Sequence, residues 1–318
     1  AGQMAVFVGD TQVSAPADKG ADGTYTMTVS AADVLAAAGG PGTGITLTAK
    51  FVGNNNMADA AGTVNVNISA VAKVEKYGST TYVGALADAF TEGNSGATVT
   101  LLSEVDLGSN YIEIRGSSTF TLDLNGQTVK AADYGAFNIL GGSLTIQDSG
   151  TGGKIESSNI TIKVNSGTLS IKSGTVSGYW GVEISGGTVA ISGDAVISGG
   201  DTGLRVTGAG KATLSGGTFS GTAAITANNY GSVTLKNLLA EGYAYHRNNL
   251  PVTKAEGWVD SNTWGEVSLD TKATLTGTVT VKKCNHTGEG VCEYTPNEGA
   301  ETHAMTCLAC GYAGAAES

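Results

Sequence analysis

Cysteine is absent from the first 283 residues of this 318-residue chain, and histidine from the first 245. No disulfide can brace the body of the protein, and no imidazole is there to bind a metal or shuttle protons. Proline is nearly missing, with 4 residues, and the 48 glycines follow no three-residue period, which excludes collagen-like order. Charge is scarce too: only 14% of residues are charged, yet the formal net charge is −11. The 17 basic residues form no cluster, so the electrostatic footprint of a nucleic-acid partner is lacking. No apolar run approaches the roughly 20 residues that span a bilayer as a helix, so no membrane insertion is expected. The opening Ala1-Gly-Gln-Met4 has neither the basic nor the apolar segment of a secretion leader and reads as the interior of a longer protein.

What the chain has instead is a phrase that returns. It runs Gly142-Ser-Leu-Thr-Ile146, Gly167-Thr-Leu-Ser-Ile171, Gly187-Thr-Val-Ala-Ile191, Gly210-Lys-Ala-Thr-Leu214 and Gly231-Ser-Val-Thr-Leu235, at steps of 25, 20, 23 and 21 residues. Alternation places Leu144 and Ile146 on one face and Ser143 and Thr145 on the other, as in a strand. A short β-type phrase at this period means a solenoid with one repeat per coil. The same column extends upstream to Phe120/Leu122 and Val99/Leu101. A second column falls at Ile155, Val176, Ile197, Phe219 and Ala240, and a third at Ile160/Ile162, Val182/Ile184 and Leu204/Val206. Three columns in a coil of about 22 residues describe a triangular parallel β-helix of about seven coils, right-handed like nearly all β crossovers. The expected fold class is all-β.

The regions flanking the repeat read differently. Residues 1–70 hold strand-like runs at Ala5–Val8, Thr24–Val29, Ile45–Phe51 and Thr63–Ile68, separated by Gly/Asn/Asp turns, which predicts a β-sandwich. Residues 71–93 are expected to supply a linker strand and a helix over Tyr82–Thr91, with Val83, Leu86 and Phe90 on one face, Thr81 as N-cap and Gly93 past its end. Such a helix would cover the open edge of the first coil. The β-helix and its C-terminal cap are assigned to 94–281, with Tyr243, Tyr245, His246 and Arg247 in a capping hairpin or a final irregular coil, and a Cys/His tail to 282–318.

Two resemblances follow from these phrases. Val8-Gly-Asp-Thr-Gln12, Gly23-Thr-Tyr-Thr-Met-Thr-Val29 and Leu47-Thr-Ala-Lys-Phe-Val-Gly-Asn-Asn55 resemble bacterial Ig-like domains of secreted Gram-positive proteins. An opening strand usual in them is missing, so the unit is expected to be truncated at its start. Tyr82–Phe90, Val99–Val105, Leu122–Val129, Leu144–Gly150 and Leu238–Tyr245 resemble extracellular right-handed, pectate-lyase-like β-helix proteins of Gram-positive bacteria. The resemblances imply an extracellular or cell-surface location. They are specific for architecture, not for activity.

Three constellations of residues bear on chemistry. Glycoside hydrolysis needs two facing carboxylates, and lyases need clustered acids for Ca²⁺ beside a basic residue. Here Asp123, Asp148, Glu156, Glu183, Asp194 and Asp201 are scattered over columns and turns, and the acid cluster and Gly-His-Gly phrases of pectin-degrading relatives are lacking. No catalytic residue is assigned. Tyr179 and Trp180 fall at the corner between the second and third columns, and Tyr134 about two coils earlier, so the three could form a sugar-stacking platform or simply fold over the corner. The tail gathers Cys284, His286, Cys292, His303, Cys307 and Cys310, resembling small zinc ribbons that close such surface proteins. A Cys-x-x-Cys-Gly turn lets two thiolates converge on one tetrahedral ion. Cys284, His303, Cys307 and Cys310 are taken as ligands of a structural Zn²⁺, with His286 and Cys292 in reserve. Disulfides Cys284–Cys292 and Cys307–Cys310 are the alternative.

The sequence thus reads as a monomeric, non-catalytic adhesin or structural module whose partner is a host surface protein or a glycan. A carbohydrate-binding or carbohydrate-processing β-helix is the alternative.

Overall fold

The computed structural model describes residues 2–52, 62–133, 135–227, 233–258, 263–270, 273–284, 286, 292–296, 303–310 and 312–313. The protein is mostly β, with 60% strand and 7% helix, and contains a right-handed parallel β-solenoid of about 6 turns. It separates into two compact units, Ala1–Ser103 and Glu104–Ser318.

Among its described residues, the first unit builds one antiparallel four-stranded sheet from 1–70, in the order Thr11–Gln12, Gln3–Val8, Gly42–Val52, Gly62–Ile68. A helix, Ala31–Ala38, buries Val34 with Val6 and Val13. This differs from the sandwich read in the sequence. Thr24–Val29 contributes only a single bridge from Val29 to Ser14. The helix follows from local chemistry: the Ser30 hydroxyl accepts the Asp33 N–H at 3.0 Å, five alanines favour helix, and Gly39 ends it at φ 76°.

The expected helix over Tyr82–Thr91 is also corrected. Ser79–Val83 is a strand paired with Ala72–Lys76, and only Leu86–Phe90 turns, as 3₁₀ helix. Thr80, Thr81, Tyr82 and Val83 are β-branched or aromatic and favour the pleat over the helix. Ala72–Lys76 pairs on its other side with Ala97–Leu101, setting Val74 opposite Val99 and Ala72 opposite Leu101.

In the second unit the columns stack in register. The first aligns Phe120/Leu122, Leu144/Ile146, Leu169/Ile171, Val189/Ile191 and Ala212/Leu214 by parallel pairing. Its next layer is Leu239, bridged to Leu214, and not the expected Val233/Leu235. The second runs Val105, Val129, Ile155, Val176, Ile197, Phe219. The third runs Ile112/Ile114, Phe137/Ile139, Ile162/Val164, Val182/Ile184, Leu204/Val206 and Ile225/Ala227. The expected pair Ile160/Ile162 is therefore one pleat early; Ile160 pairs with Trp180 at the corner. Most of these side chains are fully buried, and each Leu or Ile removed from water contributes about 1.5–3 kcal/mol.

The solenoid's last coil is closed by an antiparallel strand. Thr274–Lys283 lies against Lys211–Ala227 and sets Val279 opposite Phe219 and Leu275 opposite Ile225. It extends the second and third columns by one layer, where the sequence placed Ala240 in the second. Its far half pairs with the expected hairpin, Tyr243–Arg247 and Leu250–Pro251.

Candidate metal centre

Just beyond the capping strand the chain turns through Cys284 and His286, the latter in left-handed conformation at φ 55°. A two-stranded hairpin, Cys292–Pro296 with His303–Cys307, then returns the chain to the same place. The turn after it carries Cys310 back beside Cys307. The ligand atoms of Cys284, His286, Cys307 and Cys310 all lie within 4.8 Å of one another. The Cys284 and Cys307 sulfurs are 3.5 Å apart, and Cys310 Sγ is 3.6 Å from His286 Nδ1. Two sulfurs on one tetrahedral zinc would stand about 3.8 Å apart, and a sulfur and a nitrogen about 3.6 Å. A disulfide would need about 2.05 Å. The spacing suits a shared ion, and Cys284, Cys307 and Cys310 are free thiols.

The surroundings hold this geometry. Cys307 is fully buried with Ala244 and Ala309, and Cys284 and Cys310 pack against them. The Cys307 N–H donates to the Tyr312 carbonyl at 2.8 Å, and the Tyr312 ring stacks on His286 with centroids 4.5 Å apart. Such outer contacts orient the ligands. Burial raises the Cys307 thiol, but hydrogen bonds from His286 and Cys310 outweigh it and bring the group down to about 6. Burial pushes Cys284 up and Cys310 up to about 12. One thiol is thus ready as a thiolate, and the others ionise when a cation compensates the charge.

Three of the four expected ligands meet here, and His286 is the fourth. The backbone of His303 sits at the other end of its strand, four residues from Cys307, or about 13 Å at strand rise. The side chains of His303 and Cys292 lie outside the described residues. The signal for His286 was present in Cys284-x-His286: a one-residue spacer across a left-handed turn aims both groups at one point.

The aromatic corner is placed as expected between the second and third columns, with a different division of labour. Tyr179 is 51% exposed. Trp180 is half-buried: its indole N–H donates to Asp201 at 2.8 Å, and the Arg205 guanidinium lies 4.2 Å from its ring centroid. Arg205 also pairs with Glu183 at 3.0 Å. The coil period could have announced this contact, since Glu183 and Arg205 are ladder neighbours. Tyr134 lies outside the described residues. Beside the corner opens a cleft of about 260 Å³ lined by Tyr111, Asp133, Asn138, Asn159, Ile160 and Lys163.

The turn carboxylates are occupied. Asp123 accepts the N–H groups of Asn125 and Ser149, and Asp148 those of Gly126, Gly150 and Gly153. Burial raises Asp123, but the N–H groups of Ser149 and Asn125 outweigh it and hold the carboxyl below its ordinary value.

No protein-family model, curated protein or solved structure matches the chain. No helix among the described residues is long and apolar enough to cross a membrane.

Proposed function

We propose that this protein is a non-catalytic surface module of the kind found outside Gram-positive cells, in which the β-solenoid presents a rigid face to a host protein or a glycan. The observation that carries the reading is the use of the turn acids. Asp123 and Asp148 receive five backbone N–H groups between them, so they serve as staples between coils and not as acids facing a groove. The Ig-like reading of the first unit and the extracellular location rest on the sequence resemblances alone.

A second reading has its own observation. Tyr179 is exposed, and the N–H of its neighbour Trp180 donates at 3.2 Å to the carbonyl of Asn159, which lines the cleft with Asn138 and Lys163. A ring face, amides and a cation on adjacent coils suit sugar hydroxyls. An array of glycans and extracellular-matrix proteins, probed with the wild type and with Tyr179→Ala, separates the two. Sugar binding that falls at least about tenfold in the variant, the loss of roughly 1.4 kcal/mol of stacking, supports the platform. Matrix-protein binding unaffected by the variant supports the adhesin. Release of reducing or unsaturated sugar from acidic polysaccharides refutes the non-catalytic reading.

We assign Zn²⁺ to the Cys284–His286–Cys307–Cys310 cluster. Three thiols and an imidazole are soft, nitrogen/sulfur donors that favour zinc over calcium or magnesium. Four protein ligands fill a tetrahedral shell, which suits a structural ion. Elemental analysis with a free-thiol count tests it: one zinc per chain is expected, and two disulfides without metal would refute it.

A further inference from the structure

The strand Thr274–Lys283 covers what would otherwise be an open edge. Its first half pairs with the last coil from Thr218 to Thr226, and without it those N–H and C=O groups would invite another strand. Its second half pairs with Tyr243–His246, and its end runs directly into Cys284, whose N–H donates to the Gly242 carbonyl at 2.9 Å. The Cys307 side of the cluster rests on Ala244, the residue paired with Lys282 of the capping strand. The cluster therefore ties the strand's C-terminal end to the neighbouring strand Tyr243–Arg247.

Apolar packing alone is a weak grip there. Among the described residues, the buried cluster at this point is Ala244, Cys307 and Ala309, with Cys284 and Cys310 packed against it. The tail hairpin is a two-stranded sheet, which is marginal by itself in water. Cys284 and Cys307 lie 23 positions apart in the chain. An ion bound by both segments, and only when both are in place, stabilises their joint arrangement by mass action.

Resting on the zinc assignment, we propose that metal bound by Cys284, His286, Cys307 and Cys310 is the clasp that keeps the capping strand seated on the last coil. Metal occupancy then decides whether the C-terminal edge of the solenoid is covered.

Hydrogen–deuterium exchange on the full chain tests this, with Co²⁺ absorption reporting occupancy. The metal-loaded protein is expected to show the bands of a tetrahedral thiolate site and protected amides over 274–283 and 218–226. Chelation should speed exchange in both segments by at least about tenfold, while the middle coils over 160–206 stay protected. Cys310→Ser in excess metal should reproduce the chelated pattern, with the middle coils showing that the variant is folded. Co²⁺ bands together with unchanged protection after chelation would overturn the clasp and leave the metal site standing. No bands at all, with the fold intact, would overturn both.

Discussion

Gly187 shows how one residue type carries the repeat. It sits at φ 70°, and a Cβ there would meet the Gly167 carbonyl oxygen of the preceding coil at 2.6 Å. Gly167 stands in the same relation to Gly142, at φ 81° and 2.6 Å. Coils can stack through this turn only while the position has no side chain. Gly187→Ala is therefore expected to cost about 1–3 kcal/mol, read as a lowered Tm, since both strain and contact oppose it. Gly84, with a negative φ and open space around it, gives the control: Gly84→Ala should stay within about 0.5 kcal/mol. Equal effects at the two positions would refute the stacking argument. The glycine was visible in the sequence because it opens the first-column phrase in successive coils, whereas the partner of Trp180 was not. The 22-residue spacing sets Arg205 opposite Glu183, but the reach of its guanidinium to the Trp180 ring depends on how the corner turns, which the spacing does not encode.

At the level of elements, periodicity revealed most where a strand is repeated and least where it is not. Up to the last coil the first two columns align as their spacing implies, because the single buried set each offers per coil leaves little freedom of register. Beyond Leu214 and Phe219 the repeat ends, and the expected layers at Val233/Leu235 and Ala240 are replaced by Leu239 and Val279. The third slipped by one pleat: Ile160, Ile162 and Val164 offer two equally apolar pairs, and only the corner at Trp180 selects the second. The capping strand Thr274–Lys283 alternates polar with apolar residues as a strand should, but nothing local encodes its antiparallel direction. Its side chains define a further test. Leu275→Ala and Leu169→Ala each remove a fully buried side chain, at about 2–5 kcal/mol. In a stack that couples mainly to nearest neighbours, the outcomes should differ in place. Leu275→Ala is expected to raise exchange over 218–226 and 274–283 and to spare the middle coils, while Leu169→Ala raises it throughout 144–206. Uniform loss of protection from either variant would show that the second unit unfolds as one body and has no separable cap.

For the whole molecule, pH acts through the few titratable groups that are buried. His246, on the capping hairpin, is held below its ordinary 6.5 by burial first and by the nearby Lys282 charge, against a hydrogen bond to the Ala244 carbonyl. Asp123 is held below 3.8 by its backbone donors despite burial. In both cases the unfolded chain takes up its proton at a higher pH than the folded one. Stability is then complete above the unfolded value and is lost as pH falls through the folded value. The histidine acts first, below 6.5, and the aspartate only below 3.8. Both effects have one sign, so acid weakens the fold in two steps and neither step is recovered at lower pH. Thermal unfolding of metal-saturated protein at descending pH is expected to show Tm beginning to fall below 6.5. His246→Gln should flatten that first limb and leave the acid limb in place, because Gln keeps a polar side chain and takes up no proton. A Tm curve for His246→Gln that tracks the wild type through both limbs would refute the histidine's part and point to thiolate protonation at the metal centre as the acid-sensitive step.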